Sequence, residues 1–359
     1  MKFIKSLIKS GLAVGMLLNI VSAKEVSFEG KTIEWIMPFK AGGGTDKWGR
    51  FYAPLLSQAL PGKPVVVIKN MPGGGSTKGA NFFAQRATKD GLTIFGSSGS
   101  TQFPYLLDDK RVRYDYNDWE VVLGSPTGGV VYIPSSLGVK NIEDLKNLKK
   151  TLKFGSQGAT SLDLIPLLAF DILGLDVEPI FGMKGRKSGR LAFLRGETTI
   201  DYQTSTSYIK NVIPTIKNGN IIPLFSWGVI DENGNLQRDP TFPQLPHFGE
   251  VYEAFYGKKP SGDKAFRAWK SFFIAGFSAQ KMIFLPKGVS KDVLETYQNA
   301  VKKVLANDNF RRLKTKNLGL YAQSVGEKAK KLKEMGTNIR KEDKQWVKDW
   351  LTKKYNVRF

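Results

Sequence analysis

The sequence predicts an α/β fold built as two lobes. Three observations carry the prediction: apolar runs of strand length alternate with amphipathic stretches, the alternation restarts near residue 129, and glycine-rich loops recur where strands hand over to helices. "TIEWIMPF" (32–39) reads as the first strand and "TDKWGRFYAPLLSQAL" (45–60) as the first helix. That helix puts Trp48, Tyr52, Leu56 and Leu60 on one face. Thr45 or Asp46 suits its N-cap, and Pro54 removes an internal hydrogen bond and should kink it. "VVVIKN" (65–70) is a second strand, "STKGANFFAQRAT" (76–88) a second helix and "LTIFGSS" (92–98) a third strand. Helices joining consecutive strands imply a parallel sheet whose C-terminal loops face one edge.

The second series runs through strands at "VVYIPSS" (130–136), "LKFGS" (152–156), "VEPIF" (177–181), "TTIDY" (198–202) and "IIPLFSW" (221–227). Helical connections read at "SLDLIPLLAFDILG" (161–174) and "RKSGRLAFLRG" (186–196). A polar, turn-rich stretch follows Trp227, then "FFIAGFSAQKMIFLPKG" (272–288), and a helical region from about Ser290 closes the chain. Internal repeats and low-complexity tracts are absent.

Composition excludes most catalytic classes. With no cysteine among 359 residues, disulfides, thiolate chemistry and cysteine-ligated metals drop out. A single histidine, His247, leaves little for a metal site or for histidine acid–base work; no cofactor or metal is expected. The start, "MKFIKSLIKSGLAVGMLLNIVSA", has three lysines, a short apolar run and a small-residue end, the pattern of a cleaved export signal over 1–23. The alternative is an uncleaved anchor, for which the apolar run is short. The expected location is the periplasm. The net charge is +22, but the basic residues are spread out, and the densest stretch mixes Lys with Glu and Asp at helical spacing. That is the pattern of a solvated helix face, and no nucleic-acid partner is expected.

"AGGGTD" (41–46), "MPGGGSTKG" (71–79), "GSSGST" (96–101) and "GSQGATS" (155–161) each follow a strand. In open α/β sheets ligands sit outside the carboxyl ends of strands, where helix N-termini offer free N–H groups to an anion. Glycines let a carboxylate approach the main chain, and Ser and Thr add hydroxyl donors. The competing reading is that the glycines only allow turns. No loop spells the dinucleotide or P-loop pattern in the required place, and G-x-S-x-G is missing.

"PFKAGGGTD", "NMPGGGSTKGA" and "DGLTIFGSSGS" in this order strongly resemble the substrate-binding proteins of tripartite tricarboxylate transporters, the TctC or Bug family. The likeness continues through "SSLGVKNIEDLK", "FGSQGATS", "FGMKG", "PQLPHFGE" and "LPKGVSKDVLE". The resemblance implies a two-lobed periplasmic binding protein fold of type II kind, with parallel-rich sheets flanked by helices and a ligand cleft between lobes. Residues 24–128 and 228–359 would form one lobe and 129–227 the other, hinged near 125–130 and 225–230. The implied partners are a small carboxylate (a di- or tricarboxylate, an acidic amino acid or an aromatic acid) and membrane permease subunits, and the implied state is a monomer. The implied ligand-binding positions are Phe39, Ala41, Gly42, Gly43, Gly44 and Thr45, with Ser97, Ser98, Gly99 and Ser100 from the same lobe. The other lobe would add Gln157, Ala159, Thr160, Ser161, Asp201 and Gln203.

Some positions depart from the family pattern. Asp163 is an unexpected acid, read as supporting the helix it precedes; the alternative is that it lines the cleft, where it would repel a second carboxylate and favour an ammonium or hydroxyl group. Arg186, Arg190 and Arg195 read as a solvated helix face, with a salt bridge to a distal carboxylate as the alternative. The stretch 228–270 is longer than usual and has no assigned role. Trp35, Trp48, Trp227 and Trp269 read as core, with Trp48, beside the first glycine loop, as the alternative ligand platform. An enzyme on the same fold would need its acid or base among Asp46, Asp163, Asp201 and Lys184, and a sensory receptor would use the same cleft.

Overall fold

A computed structural model describes residues 25–231 and 233–359, so the export signal expected over 1–23 lies outside the described residues. Five strands form the first sheet: β1 (Thr32–Met37), β2 (Val65–Asn70), β3 (Thr93–Gly96), β4 (Glu120–Ser125) and, from far along the chain, β12 (Lys281–Leu285). Their order is β2-β1-β3-β12-β4. β1 runs parallel to β2 and β3, as the alternation with helices α1 (Gly44–Ala59) and α2 (Thr77–Arg86) requires. β12 enters antiparallel to both β3 and β4. Sequence patterning assigned neither β4 nor β12. All five residues of β12 are buried, and so are Val121 to Ser125 of β4, so neither strand alternates.

The second series gives β5 (Gly129–Pro134), β6 (Leu152–Gly155), β7 (Val177–Ile180), β8 (Asp201–Thr204) and β9 (Ile221–Ser226). β5 lies antiparallel between β8 and β9, while β6 and β7 pair in parallel. The five-stranded sheet is therefore mixed, the β8-β5-β9 sheet antiparallel and the β6-β7 pair parallel. The expected 198–202 strand starts late, because Thr199 and Ile200 donate instead to Lys153 O. A hairpin of β10 (Val229–Ile230) and β11 (Leu236–Gln237) occupies the long segment after β9. Helices α3 (Gly99–Leu106), α4 (Ile142–Lys146), α5 (Leu164–Ile172), α6 (Arg186–Leu194) and α7 (Ser205–Asn211) connect these strands, and α1 continues through Pro54 as one element.

Packing ties segments far apart in sequence to each sheet. One face of the first sheet buries Trp35, Trp48, Tyr52, Ile283 and Tyr297. The opposite face buries Phe83, Phe95, Tyr116, Trp119 and Phe284. The largest cluster joins Val131, Phe154, Phe170 and Tyr202 of the second series to Phe248, Trp269, Val347 and Leu351. The 228–359 stretch therefore does not act as one unit: its Phe248–Tyr256, Lys264–Phe273 and Lys341–Tyr355 helices serve this core, while β12 and the Lys291–Ala306 helix serve the first sheet. The long 228–270 segment thus has a packing role. Aromatic contacts supply much of it: Phe248 and Trp269 have centroids 4.3 Å apart, Trp269 and Phe273 4.9 Å, pairs worth about 0.5–1.5 kcal/mol each beyond their area burial. Trp35, Trp48, Trp227 and Trp269 are all core residues.

Candidate ligand site

The strand-end edge of the first sheet is shaped by one carboxylate. Asp46, in the first turn of α1, accepts from the Gly42 N–H at 2.8 Å, Asn70 Nδ2 at 2.8 Å and Arg50 Nε at 3.0 Å, and Asn70 also donates to Phe39 O. Burial pushes the Asp46 carboxyl up, and these donors more than offset that, leaving it below its ordinary value. The loop is thereby clamped, with Ala41, Gly42 and Gly44 exposed and Thr45 buried. Two of the three glycines differ from the expectation that they free their N–H groups for an anion: the Gly42 amide is taken by Asp46, and that of Gly43 points at Lys40 O at 3.4 Å. The amides of Gly44, Thr45 and Asp46 open α1 with no backbone acceptor, as first-turn groups must. Only Gly42 has a left-handed φ, +79°. Gly43 is extended at φ −74°, ψ 171°, which any residue adopts, and a Cβ there would meet nothing closer than Lys40 O at 3.4 Å.

At the end of β3 the hydroxyl of Ser98 caps α3, accepting from Ser100 N–H at 3.2 Å. Ser97 is buried beside the Tyr116 phenol. Ser100 faces the second series: its Oγ accepts from Leu162 N–H at 3.3 Å. A Cβ on Gly99 would come within 2.9 Å of both Gly276 Cα and Leu162 Cδ1, so this glycine serves close packing.

The second series presents a buried charge cluster. Arg186, with an 11% exposed side chain, donates to Asp163 Oδ2 at 3.1 Å and to Asp201 Oδ1, and its guanidinium lies over the Phe154 and Tyr202 rings at 5.0 and 4.5 Å. Asp163 also accepts from Gln157 N–H at 2.6 Å and the Tyr202 hydroxyl at 2.9 Å. Asp201 takes the Tyr132 hydroxyl and Gln203 Nε2, and burial pushes its carboxyl up against the pull of Arg186. Gln203 Nε2 is shared with Arg186 O, and Gln203 Oε1 accepts from Ser207. Asp201 and Gln203, both fully buried, thus spend their polar atoms on one another, on Arg186, and on the Tyr132 and Ser207 hydroxyls. Ser161 donates to Gly158 O, which shapes the 157–161 loop, with Ala159 buried and Gln157, Thr160 and Ser161 half-buried.

The arginines overturn the solvated-face expectation. Arg190 is buried and donates to Ser207 Oγ at 3.0 Å, and Arg186 is nearly buried; only Arg195 fits the expectation, exposed and paired with Glu197. Sequence reading missed Arg186 as the organiser of this cluster. The available signal was an arginine directly after the Gly185 turn, with one acid just before α5 and another at the start of β8. His247 caps the Phe248–Tyr256 helix through Nδ1 in a capping box with Glu250. Among the described residues no group of three or more metal-ligating side chains occurs, and no helix is long and apolar enough to cross a membrane. Two surface concavities lie away from this edge, one by Val112, Trp119 and Lys287, the other by Ile142, Pro223 and Val251.

Known proteins share this architecture. BugD, a periplasmic binding protein, superposes with a TM-score of 0.65 at 21% identity, over 92% of this chain and 99% of its own. The fold is that of the Bug-type periplasmic binding proteins. MatC from Rhodopseudomonas palustris with bound malate (TM-score 0.63) and an R. palustris protein with adipate (0.64) share the Bug-type fold, each at 18% identity, over 90% of this chain and 99% and 97% of theirs. Sequence relatives agree. A UPF0065 protein from the tcbD-tcbE intergenic region of Pseudomonas sp. (strain P51) is 22% identical over 306 residues, 83% of this chain and 81% of its own length. A UPF0065 protein of Bordetella pertussis is 30% identical over 207 residues, 55% of this chain and 62% of its own. No family model matches the chain. The resemblance to TctC and Bug substrate-binding proteins, read from the glycine-loop motifs, is borne out by these relatives and by the fold.

Proposed function

We propose that the chain is a periplasmic receptor of a tripartite tricarboxylate-type transporter, which captures a small carboxylate between its lobes and presents it to a membrane permease. The observation that carries this reading is the clamped start of α1, where the Gly44 and Thr45 amides have no backbone acceptor, while on the neighbouring strand end Ser100 touches Leu162 of the second series. The malate and adipate complexes of proteins with the same fold support the ligand class. Turnover is not part of the reading: the carboxylates of Asp46, Asp163 and Asp201 are all engaged in holding loops or Arg186.

Calorimetric titration of the mature chain against mono-, di- and tricarboxylates should show one-to-one binding of at least one acid. Micromolar affinity corresponds to about −8 kcal/mol, within reach of a few charge-assisted hydrogen bonds at about 1.5–3 kcal/mol each. No heat across the panel, or an acid recovered chemically altered, overturns the proposal.

Gly43→Val sharpens the test. Its extended backbone and open Cβ direction let the protein fold with its melting temperature kept, while the branched side chain crowds whatever docks on the Gly44 and Thr45 amides. Binding should be lost at unchanged stability. A folded Gly43→Val protein with native affinity moves the site away from α1.

A further inference from the structure

Lys281 opens β12 at the edge of the first sheet where β1 and β3 end. Across the ladder on one side it pairs with Ser125. On the other side Ser97 N–H donates to Met282 O, which carries the β3–β12 register beyond Gly96–Ile283 and sets Ser98 beside Lys281. Trp48 of α1 donates its indole N–H to Ser125 Oγ at 3.1 Å, so α1 crosses over this spot, and Gly44 lies one turn earlier on the Trp48 face. Lys281 is 6% exposed, yet among the described residues no salt bridge pairs its ammonium with a carboxylate.

The neighbouring charges are already engaged. Asp46 of α1 is held by Arg50, Asn70 and the Gly42 amide. The Tyr52 hydroxyl of α1 donates to Gln323, and that of Tyr297, on the Lys291–Ala306 helix, donates to Gly91 O. Asp239, beyond the Gly124–Ser324 bridge, accepts from Tyr321. A buried ammonium at the positive end of a helix is doubly unfavourable without an anion. Burial accordingly holds its pKa down to about 8.

We propose that Lys281 is the charge partner of the bound carboxylate, which would sit between its ammonium, the Ser98 hydroxyl and the first-turn amides of α1. The inference rests on the carboxylate-receptor reading above, and it limits the cargo to acids that bring a full negative charge to the first lobe. A neutral ligand would leave the ammonium uncompensated.

Two signs follow. In the free protein the folded pKa, about 8, lies below the ordinary lysine value of 10.5, so the stability linked to this group is present above pH 10.5 and lost as pH falls through 8. Lys281→Met should therefore raise the melting temperature of the ligand-free protein at pH 7. Binding a carboxylate restores the lysine's proton, so affinity should be highest below pH 8 and fall above it, with proton uptake at pH 9 visible as a buffer-dependent heat.

The experiment titrates the mature wild type and Lys281→Met with malate, adipate, citrate and benzoate from pH 6.5 to 9.5. The expected result is wild-type binding with that pH slope, and a loss on the order of 100-fold in Lys281→Met at equal or higher melting temperature. Wild-type binding with a flat pH profile, or a Lys281→Met affinity within threefold of wild type, overturns the role of Lys281 and leaves the receptor reading standing. No wild-type binding of any of the four acids overturns both. Should Lys281→Met fail to fold, the wild-type pH profile and proton uptake decide alone.

Discussion

Replacing Arg186 with methionine should destabilise the protein by about 3–5 kcal/mol, the usual cost of breaking a buried ion pair from one side. Two buried carboxylates, Asp163 and Asp201, would lose the cation they share, and each would keep its hydroxyl or amide donors. Asp201, already pushed up by burial, would then take up a proton. The damage should spread to the 157–161 loop, because Asp163 holds the Gln157 amide. Adding Asp163→Asn and Asp201→Asn to Arg186→Met should recover part of the loss, since removing the charges together avoids the unpaired state. Chemical denaturation of the single and triple variants measures both effects. A single-variant loss below about 1 kcal/mol would show that Arg186 is the exposed, screened arginine its helix pattern suggests.

Gly128→Ala should be the next most damaging change, at about 2–3 kcal/mol. Gly128 follows β4 and precedes β5, where the chain crosses from the first sheet to the second. A Cβ there would overlap the Asp239 carboxylate and the Tyr321 hydroxyl and stand 3.0 Å from Ser205 Oγ. Those three groups form one buried chain, Ser205 bonded to Tyr321 and Tyr321 to Asp239, and none can turn away without leaving a buried polar atom unpaired. Thermal melts of Gly128→Ala and Gly234→Ala compare the two cases, because a Cβ on Gly234 meets nothing within 4 Å and its cost is only that of a left-handed φ of +79°. Equal melting temperatures would show that the crossing has room to spare.

Local features determined much of this protein by themselves. The β1–α1–β2–α2–β3 run is written in its periodicity, and its strand ends are marked by glycine loops because a helix must start immediately after a strand. The tryptophans read as core because aromatic surface is worth burying wherever the chain places it. Only the tertiary structure decided what depends on segments far apart in sequence. β12 joins the first sheet antiparallel, an arrangement that its uniformly buried, non-alternating residues could not announce. Gly43 turned out extended, because Asp46 reaches back to Gly42 and takes up the turn there. Arg186 and Lys281 look alike as isolated cations in a basic chain, yet one is buried against two acids and the other is buried with none. The physical reason is that a charge's energy is set by what surrounds it after folding, and no local pattern records those neighbours.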